Sequence, residues 1–199
     1  GFENIVREMM RTVHFAKVDF FLLSDTRDET LAKAELQGFQ RLQRRLGRAA
    51  KHVFYRRREF NTERKVGNLK DFCQRWGGHY ESMLVLDADS IMSGQAMTQV
   101  LATLEANPDA ALIQTVPYPV RQSTHDGRLV QFAAHLYSPM LATGLSFWQT
   151  NNANYWGHNA AIRIAPFMQQ AKRLLAAKFS VMILSQRHCL SGPVGNVTS

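Results

Sequence analysis

The chain has 199 residues and a formal net charge of +8, and 45% of its residues are hydrophobic. This length and hydrophobic content suffice for one domain with a proper core. No apolar run approaches the roughly 18 residues of a membrane span, and the first residues lack the pattern of a signal peptide, so we expect neither. The two cysteines, Cys73 and Cys189, are too few and too far apart for a disulfide framework or a zinc site, which is typical of a reducing compartment.

The first part of the chain alternates between apolar runs and helical patterns. VDFFLLSD is an apolar run that ends at Ser24 and Asp25, and it predicts a strand. The following DETLAKAELQGFQRLQRRLG has helical spacing and ends at Gly47, which fits a C-cap. HVFYRRR predicts a second, short strand that ends on three arginines, and GNLKDFCQRWGG predicts another helix.

The next apolar run ends on paired carboxylates, in the sequence MLVLDADSIM. Met83 to Leu86 predict a short strand covered on both faces, because the run is continuous and without polar alternation. Asp87 and Asp89 repel each other unless one is protonated or a cation lies between them. Magnesium or manganese, held also by a substrate's phosphates, suits these hard oxygen ligands. A solvated acidic turn is the alternative.

A helix is predicted from near Ser93 to Asn107, and AALIQTVPYP predicts one more buried strand. Strands that alternate with helices indicate an α/β fold with a mainly parallel sheet flanked by helices. In such folds the ligand crevice lies beyond the carboxyl ends of the strands. The polar residues at these ends are Asp25, Asp87, Asp89 and Gln114.

The second half of the chain is less regular. Residues 127–149 predict one or two apolar helices, followed by the polar and aromatic loop TNNANYWGHN. Residues 170–199 change in composition and end in small polar residues. We therefore expect a domain at 1–169 and an aberrant, loosely packed tail at 170–199, with at most a short helix around Lys172 to Lys178.

Basic residues are concentrated between Arg41 and Lys65, where ten Lys or Arg stand against two Glu. This density is typical of a nucleic-acid-binding module or of an anionic membrane contact. A solvated helix face followed by a basic loop is the simpler interpretation. A nucleotide substrate would use a subset of the same cations for its phosphates.

Several motifs and their spacing resemble one enzyme family. They are LSDTRDE, FYRRR, RKVGNLKDFCQRWG, VLDADSIM, EANPDAALIQTVP and FWQTNNANYWGHNAAIR. Over roughly residues 1–169 the chain resembles the inverting family 2 glycosyltransferases, and in particular a bacterial branch that elongates the glucose backbone of osmoregulated periplasmic glucans. The resemblance implies a GT-A fold that is incomplete at both ends. It also implies a UDP-glucose donor, a glucan acceptor and Mg²⁺ or Mn²⁺, with no nucleic-acid partner.

The resemblance also implies roles for individual residues. Asp25 would contact the uracil or ribose, Lys65 and Asn68 would lie near the uridine diphosphate, and Asp87 with Asp89 would bind the metal and the diphosphate. Gln114 joins the substrate-binding set from its place at a strand end. The residues that would border the sugar and the acceptor are Trp148, Gln149, Trp156, Gly157, His158 and Asn159. The full-length parent would be embedded in the bacterial inner membrane, with this domain facing the cytoplasm.

The chain departs from the family at both ends. It begins too late to contain the family's first nucleotide-binding segment. Where the family has a Ser-His-Asp segment, whose aspartate is the expected general base, this chain reads ILSQRHC. One inserted G in codons for His-Asp-Ile-Val gives Gln-Arg-His-Cys, so we expect a frameshift or gene fragment without the base. The loss of a positioned general base costs about 10²- to 10⁴-fold in rate, so we expect little or no turnover.

Two other classes of function stay open from the residues alone. VLDADSIM also resembles the aspartate motif of haloacid-dehalogenase-type phosphatases, although that family places it near the start of its core and adds a later lysine and acidic pair. The basic segment alone leaves open a nucleic-acid-binding module, for which affinity would fall steeply with salt.

Overall fold

A six-stranded sheet carries the fold in the computed structural model, which describes residues 1–58, 60–149, 155–170 and 180–186. Its strand order is β2-β1-β6-β3-β5-β4. β1 and β2 pair in parallel, whereas β6 is antiparallel to β1 and β3, and β5 is antiparallel to β3 and β4. The strands are β1 (Val18–Ser24), β2 (Val53–Arg57), β3 (Tyr80–Leu86), β4 (Leu112–Gln114), β5 (Ala160–Arg163) and β6 (Ser180–Gln186).

Four of the described strands, β1 to β4, point in the same direction, because β5 and β6 each run opposite to both of their neighbours. The prediction of an α/β fold with a mainly parallel sheet is therefore confirmed in strand direction. The hydrogen-bonded neighbours are nonetheless mostly antiparallel, because each reversed strand lies between two strands of the common direction. The carboxyl ends of β1 to β4 consequently meet at one edge of the sheet.

The helices and their capping residues follow the sequence closely. Asp28 accepts hydrogen bonds from the backbone N–H groups of Thr30 and Leu31, which fixes the start of α2. Gly47 has φ 55° and ends that helix as predicted. The helices are α1 (Phe2–Met10), α2 (Glu29–Leu46), α3 (Arg64–Trp76), α4 (Gly94–Ala106), α5 (His125–Gln149) and α6 (Ile164–Gln170), with 3-10 turns at Phe15–Lys17, Gly47–His52 and Gly77–His79.

The core lies on both faces of the sheet, because successive strand residues point to opposite sides. Phe20 of β1 and Leu84 of β3 pack against α1, α2 and α4 on one face. Phe21 and Met83, which are adjacent in sequence to Phe20 and Leu84, pack against α3 and α6 on the other face. This double coverage explains why the strand before Asp87 is a continuous apolar run. It confirms that β3 is buried on both faces.

The sequence did not predict α1, which packs against α4 through residues such as Ile5 and Met9. A side chain added at Gly1 would lie 2.7 Å from the carbonyl oxygen of Ala88, so the start of α1 lies beside the Asp-Ala-Asp turn. No helix in the described ranges is long and apolar enough to cross a membrane.

The expectation that everything after residue 170 stays outside the fold is wrong for residues 180–186. These residues form β6, which lies between β1 and β3 in the sheet and pairs with both. An apolar run, VMIL, can pair in this position because β1 and β3 each offer a free edge to it. Residues 171–179, with the predicted short helix, and residues 187–199 lie outside the described residues. The division into a domain and a tail therefore stays a prediction.

Candidate active site

The carboxyl end of β1 places Asp25 in a network of hydrogen bonds. Arg58 donates from Nε to Asp25 Oδ1 at 2.7 Å and from a terminal nitrogen to Oδ2 at 3.0 Å. Asn68 donates from Nδ2 to Oδ1 at 2.8 Å. Arg58 is 7% exposed and Asn68 is 2% exposed, so the carboxylate is held by two buried donors. The sequence-predicted pair Asp25 and Asn68 is thus brought into direct contact.

Arg56 holds Asn68 from its other side. Its guanidinium donates to Asn68 Oδ1 at 2.6 Å, forms an ion pair with Asp71 and lies 5.6 Å from the centre of the Trp76 ring. Burial, together with the neighbouring charges of Arg75 and Arg58, lowers the pKa of Arg56 to about 10. Because the amide oxygen accepts from Arg56, the amide nitrogen of Asn68 faces Asp25.

A second cluster braces the turn that follows β1. Glu35 of α2 accepts hydrogen bonds from Ser24 at 2.6 Å, from Tyr55 at 2.9 Å and from the Thr26 hydroxyl. Burial alone would raise the pKa of Glu35, but the three hydroxyl donors outweigh it and lower the pKa below its usual range. The cluster fixes the backbone on both sides of Asp25.

Lys65 joins three parts of the site. Its ammonium donates to Asp87 Oδ1 at 2.5 Å and to the carbonyl oxygen of Gly157 at 2.7 Å. Lys65 is only 4% exposed, so its charge is matched inside the protein. The start of α3, the end of β3 and the loop before β5 are therefore linked by one side chain, and the predicted set Lys65, Asp87 and Gly157 is brought together.

The two carboxylates of the Asp-Ala-Asp turn differ in environment. Asp87 is partly buried and engaged by Lys65, whereas Asp89 is exposed. The described ranges contain no group of three or more acidic, histidine or cysteine side chains that could hold a metal. Magnesium, however, is usually bound through one or two carboxylates plus substrate phosphates. The donor set of Asp89 and the second oxygen of Asp87 fits such a cation.

The loop before β5 is tied to the ends of β3 and β4. The side-chain oxygen of Gln114 accepts from the backbone N–H of Trp156 at 3.2 Å, and Ser90 donates to Asn159 Oδ1 at 3.1 Å. The N–H of Thr115 donates to the carbonyl oxygen of Asn159 at 2.9 Å. Asn159 and Gly157 both have positive φ, 51° and 97°, which lets the loop turn sharply over the site.

Tyr155 lies beside Asp87 with a buried hydroxyl for which the described residues provide no hydrogen-bond partner. Burial, and then the negative charge of Asp87, raises the pKa of this phenol far above its usual range. A neutral phenol hydroxyl next to a carboxylate keeps its proton and can donate a hydrogen bond. Tyr155 was missed in the sequence because it stands in an irregular loop without a periodic signal.

Three further residues of the predicted site are Trp148, Gln149 and His158. Trp148, at the end of α5, is 82% exposed, and its ring contacts Phe147. The side chain of Gln149 lies outside the described part of the chain. His158 is half-buried in the loop before β5, and no contact of its side chain with the strand-end residues is seen in the described ranges. Their roles at the sugar and the acceptor stay predictions.

The part of the chain that matches a known protein family contains the residues of this network. The model of glycosyl transferase family 2 matches residues 24–170, which run from the end of β1 to the end of α6. No solved structure matches the chain.

The chain is similar to curated proteins named glucans biosynthesis glucosyltransferase H. It is 45% identical over 168 residues to those of Pseudomonas paraeruginosa (strain DSM 24068 / PA7) and Pseudomonas aeruginosa (strain LESB58), a match that covers 84% of this chain and 19% of each relative. It is 48% identical over 153 residues to that of Pseudomonas entomophila (strain L48), covering 77% of this chain and 18% of the relative. The chain thus spans about a fifth of the length of these relatives.

The family match extends over most of the chain and contains the Asp25 network, the Lys65–Asp87 pair and the loop before β5. It removes the phosphatase alternative, because the Asp-Ala-Asp turn belongs to the matched region. The chain is a member of glycosyl transferase family 2.

Proposed function

We propose that this chain forms the donor-binding part of a glucosyltransferase that uses UDP-glucose and extends a β-glucan with inversion at the transferred carbon. The observation that carries the proposal is the cluster at the carboxyl ends of β1 and β3, the two strands that flank β6, where Asp25 contacts Asn68 and Lys65 contacts Asp87. In α/β sheets ligands bind in this crevice. Similarity to proteins named glucans biosynthesis glucosyltransferase H supports the glucan as acceptor.

The residues divide into a base-binding end and a diphosphate-binding end. At the first, Asp25 offers carboxylate oxygens to N–H or O–H groups of the uridine. At the second, Lys65 supplies a cation beside the expected diphosphate, and Asp87 with Asp89 would hold Mg²⁺ or Mn²⁺. When bound, the metal would stabilise the charge of the departing diphosphate.

Chemistry at the acceptor needs a general base that removes the proton from the attacking hydroxyl. Residues 186–189 read Gln-Arg-His-Cys at the place where the resemblance implies a Ser-His-Asp segment that carries this base. We therefore propose that the chain binds the donor but turns it over slowly or not at all. In the same proposal, the full-length parent lies in the bacterial inner membrane with this domain on the cytoplasmic side.

The basic segment between Arg41 and Lys65 divides into exposed cations, Arg41, Arg44, Arg45, Arg48 and Lys51, and cations that are engaged inside the site. Arg56, Arg58 and Lys65 are directed inward against Asp71, Asp25 and Asp87. Cations buried in this way are not available to a phosphate backbone.

Thermal unfolding with nucleotide sugars tests the proposal. UDP-glucose with MnCl₂ should raise the melting temperature of the chain, since a ligand that binds only the folded state stabilises it. ADP-glucose at the same concentration should not, because adenine presents a different hydrogen-bonding edge to Asp25. Equal stabilisation by both sugars, or by neither, would contradict the proposed donor.

A further inference from the structure

Three consecutive arginines, Arg56 and Arg57 at the end of β2 and Arg58 directly after it, make different contacts. Side chains alternate across a strand, so Arg56 and Arg58 face one side and Arg57 faces the other. Arg57 donates to the carbonyl oxygen of Thr26 at 2.9 Å and to Glu29 at 2.7 Å, near the surface. The outer two arginines point inward, where Arg56 pairs with Asp71 and Arg58 pairs with Asp25. Arg57 therefore lies near the surface, whereas Arg56 and Arg58 lie in the candidate site.

Arg58 determines how Asp25 can be used. A carboxylate offers about four lone-pair positions. Oδ1 accepts from Arg58 and Asn68, and Oδ2 accepts from Arg58. Among the described residues, Oδ2 thus keeps one acceptor position, and the bidentate contact holds the carboxylate in a single orientation.

Arg56 determines how Asn68 can be used. An amide has a donor side and an acceptor side, and either could face Asp25. The contact of Arg56 with Asn68 Oδ1 at 2.6 Å forces the donor side toward Asp25. A reversed amide would place its oxygen against the carboxylate, which is repulsive. Arg56 therefore acts on Asp25 through Asn68 without touching it.

We propose that Arg56 and Arg58 are positioning residues that hold the Asp25 carboxylate in one orientation, with one acceptor position left open among the described residues, and that they thereby set the base preference of the site. This inference rests on the proposed function, since it assumes that Asp25 faces the base of a nucleoside diphosphate. A pure acceptor selects a base edge that carries a ring N–H. Uracil carries a hydrogen on N3 and can donate it to the carboxylate. Cytosine has an unprotonated N3, whose lone pair would face the carboxylate.

The test compares three single variants of the same strand: Arg56→Gln, Arg58→Gln and, as the matched control, Arg57→Gln. Each removes one positive charge from neighbouring positions. Calorimetry with MnCl₂ measures the affinity of each protein for UDP, CDP and inorganic pyrophosphate. Pyrophosphate has no base, so it reports on the diphosphate end of the site alone, and thermal unfolding reports on the fold.

For Arg58→Gln and Arg56→Gln we expect the preference for UDP over CDP to fall by about 10- to 100-fold, the range for a hydrogen bond to a charged group. Pyrophosphate affinity should stay within about twofold, because Lys65 and Asp87 are unaltered. Arg57→Gln should keep the UDP preference of the unaltered chain. Arg58→Lys, which keeps the charge but not the two-pronged contact, should lose part of the preference and still fold.

The possible results distinguish a failure of this inference from a failure of the proposed function. If the unaltered chain binds UDP selectively and the Arg56 and Arg58 variants keep its UDP to CDP ratio, the inference is overturned and the proposed function stands. A parallel loss of UDP and pyrophosphate affinity in Arg58→Lys would show a general structural role and would also overturn it. If the unaltered chain binds no UDP, the proposed function fails together with the inference.

Discussion

Lys65 and Asp87 form an ion pair of 2.5 Å at the carboxyl end of the central strand β3. The ammonium is buried, whereas the side chain of Asp87 is 30% exposed, so one carboxylate of the Asp-Ala-Asp turn is neutralised by the protein's own cation. The repulsion that the sequence implies between Asp87 and Asp89 is thereby relieved in the absence of a ligand. The exposed Asp89 is left as the more accessible ligand for a cation.

Replacing Lys65 by methionine should destabilise the chain and weaken UDP binding. The change leaves the carboxylate of Asp87 without its cation and the Gly157 carbonyl without its donor. We expect a loss of about 2 kcal/mol in the free energy of unfolding, below the range for a fully buried pair because Asp87 is partly solvated. Denaturant unfolding measures it. The control is Lys70→Met on the same helix, whose ion pair with Glu63 is longer and more exposed and should cost little.

Asp89→Asn should remove most of the metal dependence of UDP binding. The unaltered chain is expected to bind UDP more tightly with MgCl₂ or MnCl₂ than without, because the two aspartates supply hard oxygen ligands. Calorimetry in the presence and absence of the metal measures the difference for both proteins. A variant that responds to the metal like the unaltered chain would take Asp89 out of the metal site.

Glu35→Gln should lower stability at neutral pH and matter less in acid. The three hydroxyl donors lower the folded-state pKa of Glu35 below its ordinary value of 4.5, so the carboxylate stabilises the fold above that pH. This contribution is lost as the pH falls through the lower folded-state pKa. Unfolding curves of both proteins should therefore differ at pH 7 and converge as the pH falls through the lowered folded-state pKa of Glu35. Because Glu35 is only half-buried, the difference is small, and a gap that widens toward low pH would contradict the assigned cause.

Much of the site could be predicted because several of its residues lie directly after the ends of strands. The apolar run before Asp87 and the one before Asp25 each mark a buried strand, and parallel strands bring their carboxyl ends to one edge. The partners could not be predicted in the same way. The contact of Lys65 with Asp87 and the contact of Arg58 with Asp25 depend on the positions of α3 and β2 in space. Only the alternation along Arg56, Arg57 and Arg58 signalled that two of the three share a face.

The place of β6 shows a different limit of the sequence. The segment VMIL is apolar enough for a strand, but its flanks change in composition, and composition predicts packing only on average. Pairing with β1 and β3 is a long-range property that local sequence does not carry. The unpredicted α1 is a similar case, because its nine residues form a stable helix through contact with α4.

Deletion of residues 180–199 should therefore unfold the chain or destabilise it by more than a typical core mutation, which costs about 2–5 kcal/mol. The deletion removes β6 and leaves two neighbouring strands without their ladder partners. A shorter deletion, of residues 187–199, keeps β6 and is the control. Thermal unfolding compares the two. Equal melting temperatures for the longer deletion and the full chain would show that β6 contributes nothing to the fold.

The central claim is that the carboxyl-end cluster binds uridine diphosphate, and calorimetric titration of the chain with UDP in the presence of MnCl₂ tests it most directly. We predict measurable binding by the unaltered chain and loss of about tenfold or more in affinity for Asp25→Ala and for Asp87→Asn, because each removes a charged hydrogen-bond acceptor from the cluster. No heat of binding from the unaltered chain, or equal affinities for all three proteins, would contradict the assignment of this cluster as the donor site.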